Sequence, residues 1–258
     1  MAGTTLTFAG NNLQTSNIIT AEIDHHGIPF KDAVMYPLAH SNRSALPYIN
    51  YPHKVITIRG KLSYSTLALL DAAIDTFKGY FNTEDGNLDI GYSGGTRRYI
   101  ATAVSVNIDR PGGLAWANFE VIFHCIYPFG RATTATTFAS EDNITNATDS
   151  WTHTVIGSAP YQLPVIAMAF DSVTDGDAFV RFTNNANGQG ITVIGQTFEA
   201  ADELVIDSYN RKVTLNSAEI DFIGAFMELS PGSTQINYAD GFSARQFDID
   251  IEYYPLYS

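Results

Sequence analysis

The sequence has a single cysteine, no long hydrophobic run and few charged residues, and each shortage excludes a class of protein. Cys125 has no second cysteine for an internal disulfide, and its place in the apolar run 119–127 predicts a buried, unreactive thiol. No run is long enough to span a membrane as a helix. The N-terminus lacks the basic and then apolar pattern of a signal peptide, so we expect a soluble protein made in a cytoplasm.

Basic residues are also scarce. The chain has 258 residues and a net charge of -13, and it is 45% hydrophobic and 16% charged, which is typical of a globular protein rather than a disordered one. The imbalance lies in one half, because residues 1–130 carry a net charge of -1 and residues 131–258 carry -12. Nucleic acid and anionic membranes need a basic surface, so this distribution argues against both as partners.

One helix is predicted, over residues 66–78. Its apolar residues recur at spacings of three and four, Ser65 is a suitable N-cap, and Gly79 stands where a left-handed C-cap belongs. The polar stripe Asp71, Asp75 and Lys78 leaves the opposite side to pack inward. A helix this short is marginal alone, so we expect it to lie on a sheet.

The segments on both sides of the helix supply that sheet. Residues 55–62 alternate in the manner of a half-buried strand, with Ile56, Ile58 and Leu62 on one side. After the helix, three runs separated by glycine-containing turns predict an antiparallel meander; the runs are 88–92, 98–109 and 119–127.

The first fifty residues give weaker patterns. Residues 5–8 and 18–23 are typical of short strands, whereas three X-Pro steps favour a long loop or arm over residues 31–54. Asp24, His25 and His26 bear groups that can bind metal, but neighbouring strand residues point to opposite faces and no second cluster has ligand spacing. A solvated or interface turn is therefore favoured there over a metal site.

The composition changes after Gly130 to a small, polar, threonine-rich stretch of the kind that joins domains. We therefore expect a β-sandwich-like N-terminal domain with the helix packed on its sheet over residues 1–130, a linker over 131–150 and a C-terminal β domain over 151–258. In the last of these, eight short apolar runs separated by turns predict a sandwich of the jelly-roll kind. Its final run alternates strictly, and the acidic outer stripe Asp248, Asp250 and Glu252 suggests a protected sheet edge.

Catalytic and cofactor motifs are not found. The sequence has no nucleophile elbow, zinc-protease motif, phosphate loop or Cys-His signature, and a pair of glycosidase carboxylates cannot be read from spacing alone. Asp171, Asp175 and Asp177 lack the glycine and distal glutamate of a helix-loop-helix calcium site, which favours a solvated turn. We predict no enzyme activity, no cofactor and no metal.

The chain resembles the distal tail proteins of long-tailed, non-contractile bacteriophages, the siphophage tail-component family. The similarity lies in the strand leading into the helix, in the strands that follow it and in the C-terminal half; the segments are 55–60, 98–103, 119–128, 156–166, 207–216 and 226–232. It covers most of residues 55–258.

The resemblance implies a structural role at the tail tip of the virion. Members of this family form a hexameric ring in which the N-terminal domain continues the tail tube and a galectin-like C-terminal domain projects outward. The implied partners are other copies of the chain, the tail tube protein, a tail-tip or tail-associated protein and a receptor-binding protein. The chain is too short for the inserted carbohydrate-binding modules of some relatives.

Two sets of candidate site residues remain. Arg97 and Arg98 stand beside a glycine turn and are candidates, with His25 and His26, for contacts between subunits; a solvated turn is the alternative. A monomeric lectin-like sandwich is the rival function, with Trp151 and Tyr209 as the first candidates for stacking on a saccharide and Tyr238 and Phe242 as further ones.

Overall fold

The computed structural model describes residues 5–24, 32–37, 44–50 and 53–258. The chain divides into two compact units: the first unit is Met1–Thr133 with Tyr257–Ser258, and the second unit is Thr134–Leu256. Among the described residues the secondary structure is mainly β with one helix, which confirms the predicted fold class. No helix in these ranges is long and apolar enough to cross a bilayer.

The first unit contains the helix α1 (Leu67–Gly79) and most of one large sheet. Its strands are β1 (Leu6–Phe8), β2 (Asn11–Asn12), β3 (Ile18–Asp24), β4 (Asp32–Pro37), β5 (Ser44–Asn50), β6 (Lys54–Ser63), β7 (Gly86–Tyr92), β8 (Gly95–Asp109), β9 (Trp116–Cys125) and β10 (Gly130–Ala132). The order across the sheet is β2-β1-β7-β8-β9-β6-β3, with β10 pairing the start of β8. The predicted meander corresponds to β7, β8 and β9, which are antiparallel neighbours.

The helix covers one face of this sheet. Leu70 and Phe77 are buried, and the Phe77 ring lies 4.8 Å from the Phe119 ring and 5.0 Å from the Phe81 ring. On β6, Ile56, Ile58 and Leu62 are fully buried, as their alternation predicted. Each buried side chain removes apolar surface from water, which is the main favourable term holding the helix against the sheet.

The helix ends differ from the prediction. Thr66, not Ser65, is the N-cap, and its hydroxyl accepts a hydrogen bond from the Leu69 N–H at 3.3 Å. Gly79 is the last helical residue and has no left-handed conformation; Tyr80 is the C-cap in the right-handed region. The Tyr80 N–H bonds to the carbonyls of Phe77 and Lys78, so the last turn closes without a glycine cap.

The predicted arm over residues 31–54 contains a paired hairpin. β4 and β5 form their own two-stranded antiparallel sheet, with a register irregularity between Val34 and Tyr36. Extended strands agree with the restriction that proline places on the preceding residue, but the X-Pro pattern does not specify that the two strands pair. His25 and His26 lie outside the described residues.

The second unit contains two sheets and a single buried core. Its strands are β11 (Thr136–Ile144), β12 (Thr148–Val155), β13 (Pro164–Thr174), β14 (Val180–Asn184), β15 (Gly190–Val193), β16 (Glu203–Asp207), β17 (Lys212–Leu215), β18 (Ala218–Glu219), β19 (Ile223–Gly224), β20 (Gly232–Asp240) and β21 (Ala244–Tyr253), while β22 (Leu256–Tyr257) crosses the division between the units. One sheet has the order β11-β21-β13-β16-β17-β18, and the other has the order β12-β20-β14-β15-β19. Buried residues of both sheets form one cluster, as in a sandwich.

Three sequence predictions for this half are wrong. The expected linker over 131–150 is occupied by β10, β11 and the start of β12, because threonine is a good strand residue as well as a common loop residue. The expected strand over 222–229 is reduced to β19. β21 alternates as predicted, but it lies between β11 and β13, so its acidic stripe is on a sheet face and protects no edge.

Candidate interaction surfaces

Besides the two-residue strand β2 at one end of the strand order, the described sheet of the first unit has two open edges. β3 pairs with β6 on one side, and no described strand pairs with its other side. β8 is longer than β7: β7 pairs with residues 95–101, whereas residues 101–109 pair with β9. The β7 side of residues 103–109 therefore has no strand beside it within the described ranges. Unpaired N–H and C=O groups on such edges are a template for a strand from another chain.

Exposed apolar side chains lie on both open edges. Ile19 on β3 is 44% exposed, and Val104, at the irregularity in β8, is 52% exposed. Scattered apolar side chains are normal on a protein surface, but these two coincide with unpaired backbone. Two further exposed leucines, Leu67 and Leu69, lie on the helix, where Arg110 forms an ion pair with Asp71.

A cluster of cations and tyrosines forms in the first unit. The Arg97 guanidinium carbon lies 4.2 Å from the centre of the Tyr92 ring and 4.4 Å from that of Tyr257. The Lys54 ammonium lies 5.6 Å from the centre of the Tyr99 ring. These contacts place two cations over electron-rich ring faces, which is the geometry of cation–π attraction. We call these five residues the tyrosine-cation cluster.

Lys54 is the unusual member of that cluster. It is 4% exposed, and among the described residues no atom accepts a hydrogen bond from its Nζ. Burial lowers the pKa of Lys54, and the nearby Arg97 charge lowers it further; the effect of Cys125, its cross-strand neighbour, is in the opposite direction. Burial also raises the pKa of Cys125 to about 12, so the thiol stays protonated and supplies no counter-charge at neutral pH.

Arg98, the neighbour of Arg97, is already paired. Its Nε donates to Oδ1 of Asp89 at 2.7 Å and its Nη2 donates to Oδ2 at 2.8 Å, which is a two-bond pairing across β7 and β8. The side chains of Arg98 and Asp89 are 32% and 21% exposed. Arg97 has no such carboxylate among the described residues. The structure therefore gives the two predicted interface arginines different surroundings, and neither is in a solvated turn.

The second unit also buries a charge, but surrounds it with donors. The Asp240 carboxylate is fully buried and accepts from Arg245 Nε at 3.0 Å, from the Phe242 N–H at 2.9 Å and from the Tyr238 hydroxyl at 2.5 Å. Burial, together with its bond to Asp240, raises the pKa of the Tyr238 hydroxyl and keeps it a donor. Arg245 also donates to the Phe242 and Thr145 carbonyls.

The candidates for saccharide stacking do not form a shared platform. Trp151 lies on β12 and is half-buried; its Nε1 donates to Glu141 at 2.8 Å. Tyr209 is half-buried in the turn between β16 and β17, on the other sheet. Tyr238 and Phe242 are core residues, 2% and 4% exposed.

The aspartates considered for calcium have other partners. Asp175 accepts from the Ser243 hydroxyl and Asp177 from the Thr197 hydroxyl at 2.5 Å. In the part of the chain that the structure describes, no three histidine, cysteine or acidic side chains come together as a metal site.

Lys54 and Tyr257 were not predicted as site residues, and only Lys54 has a signal in the sequence. Lys54 is in phase with Ile56, Ile58 and Leu62, so its alternation predicts an inward side chain. Because lysine side chains are nearly always exposed, the residue type outweighed the alternation, and an inward Lys54 was not predicted. Tyr257 gave no local signal, because its ring reaches Arg97 only after the chain returns from the second unit.

Comparisons with known proteins give a family match for the C-terminal part of the chain and a structural match for both units. Residues 157–257 match the family model for the C-terminal domain of the siphovirus-type tail component. No curated protein matches the sequence. Among solved structures, the chain is similar to the Dit protein (gp 19.1) of phage SPP1, with 12% identity and a TM-score of 0.68 over 99% of this chain and 100% of that chain.

Two other similar structures belong to the baseplate of phage P2. One, in the activated conformation with Ca, is 8% identical, with a TM-score of 0.47 over 93% of this chain and 92% of that one. The other, with Sr, is 10% identical, with a TM-score of 0.46 over 96% and 98%. At such low identity, it is the SPP1 comparison that shows a shared fold, and it extends over both units. The family model matches residues 157–257 and the SPP1 comparison gives a shared fold, so the predicted resemblance to siphophage distal tail proteins is confirmed.

Proposed function

We propose that this chain is a structural hub at the far end of a siphophage tail, where copies of it form a ring that joins the tail tube to the tip or baseplate and to receptor-binding components. The family match over residues 157–257 is the observation that carries this proposal. The SPP1 protein that shares its fold is described as a paradigm of the hub adsorption apparatus in phages that infect Gram-positive bacteria. A location in the tail of the virion follows from the same role.

The first unit has the features that a ring requires. A ring of identical subunits uses a heterologous contact, in which one surface of a copy meets a different surface of the next. The two open edges, at β3 and at residues 103–109 of β8, are different surfaces of one sheet. Ile19 and Val104 add apolar area to them. A six-fold ring is the form that the family resemblance implies.

The second unit is suited to contacts with other tail proteins. Its outer stripe on β21, Asp248, Asp250 and Glu252, places acidic groups on a sheet face, and its half of the chain carries nearly all of the net negative charge. Opposite potentials steer association and fix its register, so the partner surface is expected to be basic. The role is structural and involves no chemical step.

Electron microscopy of the purified full-length chain tests the ring directly. Negatively stained wild-type protein is expected to show closed rings with an open centre, increasing with protein concentration. Val104→Lys places a charge on the open edge of β8 and is expected to reduce the rings strongly. Ile223→Lys is the matched control, since Ile223 is 59% exposed but belongs to the second unit.

Rings that persist in Val104→Lys as in the control would contradict the role given to this edge. Particles that remain monomeric at every concentration would contradict self-assembly of the chain.

A further inference from the structure

The tyrosine-cation cluster contains two positive charges and no negative one. Lys54 has no hydrogen-bond acceptor, and Arg97 has no ion-pair partner among the described residues. By contrast, the neighbouring Arg98, and Arg245 in the second unit, each bind a carboxylate. An unpaired ammonium in a low-dielectric interior is strongly unfavourable, because nothing replaces the water it has lost.

The geometry of Arg97 prepares it for a carboxylate. The Arg97 guanidinium carbon lies over the Tyr92 and Tyr257 rings, 4.2 and 4.4 Å from their centres, and the guanidinium carries N–H donors in a fixed fork that matches a carboxylate. The side chain is half-buried, so a group from outside can reach it. A guanidinium already held in one orientation loses less entropy when it binds the planar carboxylate fork.

Lys54 increases the attraction without making the contact. Its Nζ is covered, so an incoming group cannot bind it directly. Its charge lies near Arg97 and is not neutralised by Cys125, whose pKa is raised to about 12 by burial. Because a protein interior screens charges weakly, the Lys54 charge adds to the positive potential at Arg97.

We propose that Arg97 binds a carboxylate of a second copy of this chain, and that the charge of Lys54 strengthens this contact. The chain is rich in the necessary group, with 27 acidic residues against 14 basic ones. Several carboxylates of the first unit are exposed and have no ion pair among the described residues; they are Asp24, Asp75, Glu84 and Asp109. This inference rests on the proposed self-assembly and names the contact that stabilises it.

The test compares self-association of the full-length wild type, Arg97→Gln, Lys54→Met and the control Arg98→Gln by sedimentation velocity over a range of salt concentrations. Loss of a charged contact at an interface is expected to weaken association of Arg97→Gln about tenfold or more. Because salt screens charges, added salt is expected to weaken the wild type more than Arg97→Gln. Arg98→Gln is expected to associate as the wild type does.

Lys54→Met separates an effect on association from an effect on folding. The variant removes the unpaired charge, so we expect a higher midpoint of urea unfolding together with weaker association. A wild type that associates, with Arg97→Gln and Lys54→Met matching it in strength and salt dependence, would overturn this contact and leave the proposed ring intact. A wild type that does not associate at any concentration would overturn both.

Discussion

Each unit buries a charged side chain, Lys54 in the first and Asp240 in the second, and the described residues surround the two charges differently. Three donors, including Arg245 and the Tyr238 hydroxyl, bind the Asp240 carboxylate. No acceptor among the described residues binds the Lys54 ammonium. The buried charge of the second unit is thus compensated within that unit, whereas no described residue compensates the buried charge of the first unit.

The sheets show the same contrast. In the second unit two sheets pack face to face around one core. In the first unit, the helix covers part of one large sheet, and two edges of that sheet are open among the described residues. A unit that folds as part of an assembly can leave backbone groups and charges for its neighbours to satisfy, as obligate oligomers do.

The largest expected effect is the loss of the Asp240 charge. Asp240→Asn keeps the shape but leaves Arg245, whose side chain is 10% exposed, without a counter-ion. Breaking one partner of a buried pair is expected to reduce the free energy of unfolding of the second unit by about 3–5 kcal/mol. Urea unfolding followed by Trp151 fluorescence in a Trp116→Phe background measures it, since the Trp151 ring lies 6.4 Å from that of Tyr238. An unchanged midpoint would show that the network is not needed.

Lys54→Met is expected to act in the opposite direction. Replacing a buried, unpaired ammonium with an apolar side chain of similar length is expected to raise the free energy of unfolding of the first unit by about 1–3 kcal/mol. Trp116 fluorescence in a Trp151→Phe background reports this unit. Lys61→Met is a matched control, because Lys61 is on the same strand, is only half-buried and lies over the Trp116 ring at 4.3 Å. A destabilised Lys54→Met would mean that the charge has a partner in the first unit.

The gain in stability of the first unit from Lys54→Met is expected to depend on pH. Burial places the pKa of Lys54 in the folded chain below its ordinary value of 10.5, so between these two values the unfolded chain binds more protons than the folded one. The stability of the wild-type first unit therefore rises with pH across that window, relative to the variant. The difference in free energy of unfolding between Lys54→Met and the wild type should therefore narrow as the pH approaches 10.5. A difference that does not change with pH would contradict a charged, buried Lys54.

The smallest expected effect belongs to Tyr257, which contacts Arg97. Tyr257→Leu removes one of two cation–π contacts, worth about 0.5–1 kcal/mol at a partly exposed site. We expect a small loss of stability and a weaker self-association, both less than in Arg97→Gln. Tyr257→Phe keeps the ring and is expected to behave as the wild type in thermal unfolding and sedimentation. Equal losses in both variants would assign the effect to the hydroxyl group instead.

Much of the local structure followed from residue patterns. The spacing of Leu70 and Phe77 predicted the helix to within one residue at each end, and strict alternation identified the buried residues of β6 and β21. These features depend on neighbours in the chain. The left-handed cap at Gly79 failed because the Tyr80 N–H could satisfy the last carbonyls in a right-handed conformation.

Long-range pairing could not be predicted in the same way. The acidic stripe on β21 suggested an edge, but β11, drawn from the expected linker, covers that side. The open edge of β8 arises only because β7 is shorter than its partner. Likewise, Arg97 and Arg98 are adjacent in the sequence and could not be told apart there. In the fold, Arg98 binds Asp89, whereas Arg97 contacts tyrosine rings.

Urea unfolding at several protein concentrations, with one tryptophan reporting each unit, tests directly whether copies of the chain complete the first unit. Trp116 belongs to the first unit and Trp151 to the second. Association that involves only the folded first unit raises its unfolding midpoint as concentration rises. We expect the unfolding midpoint reported by Trp116 to rise with protein concentration and the midpoint reported by Trp151 to stay fixed. A Trp116 midpoint independent of concentration would contradict it.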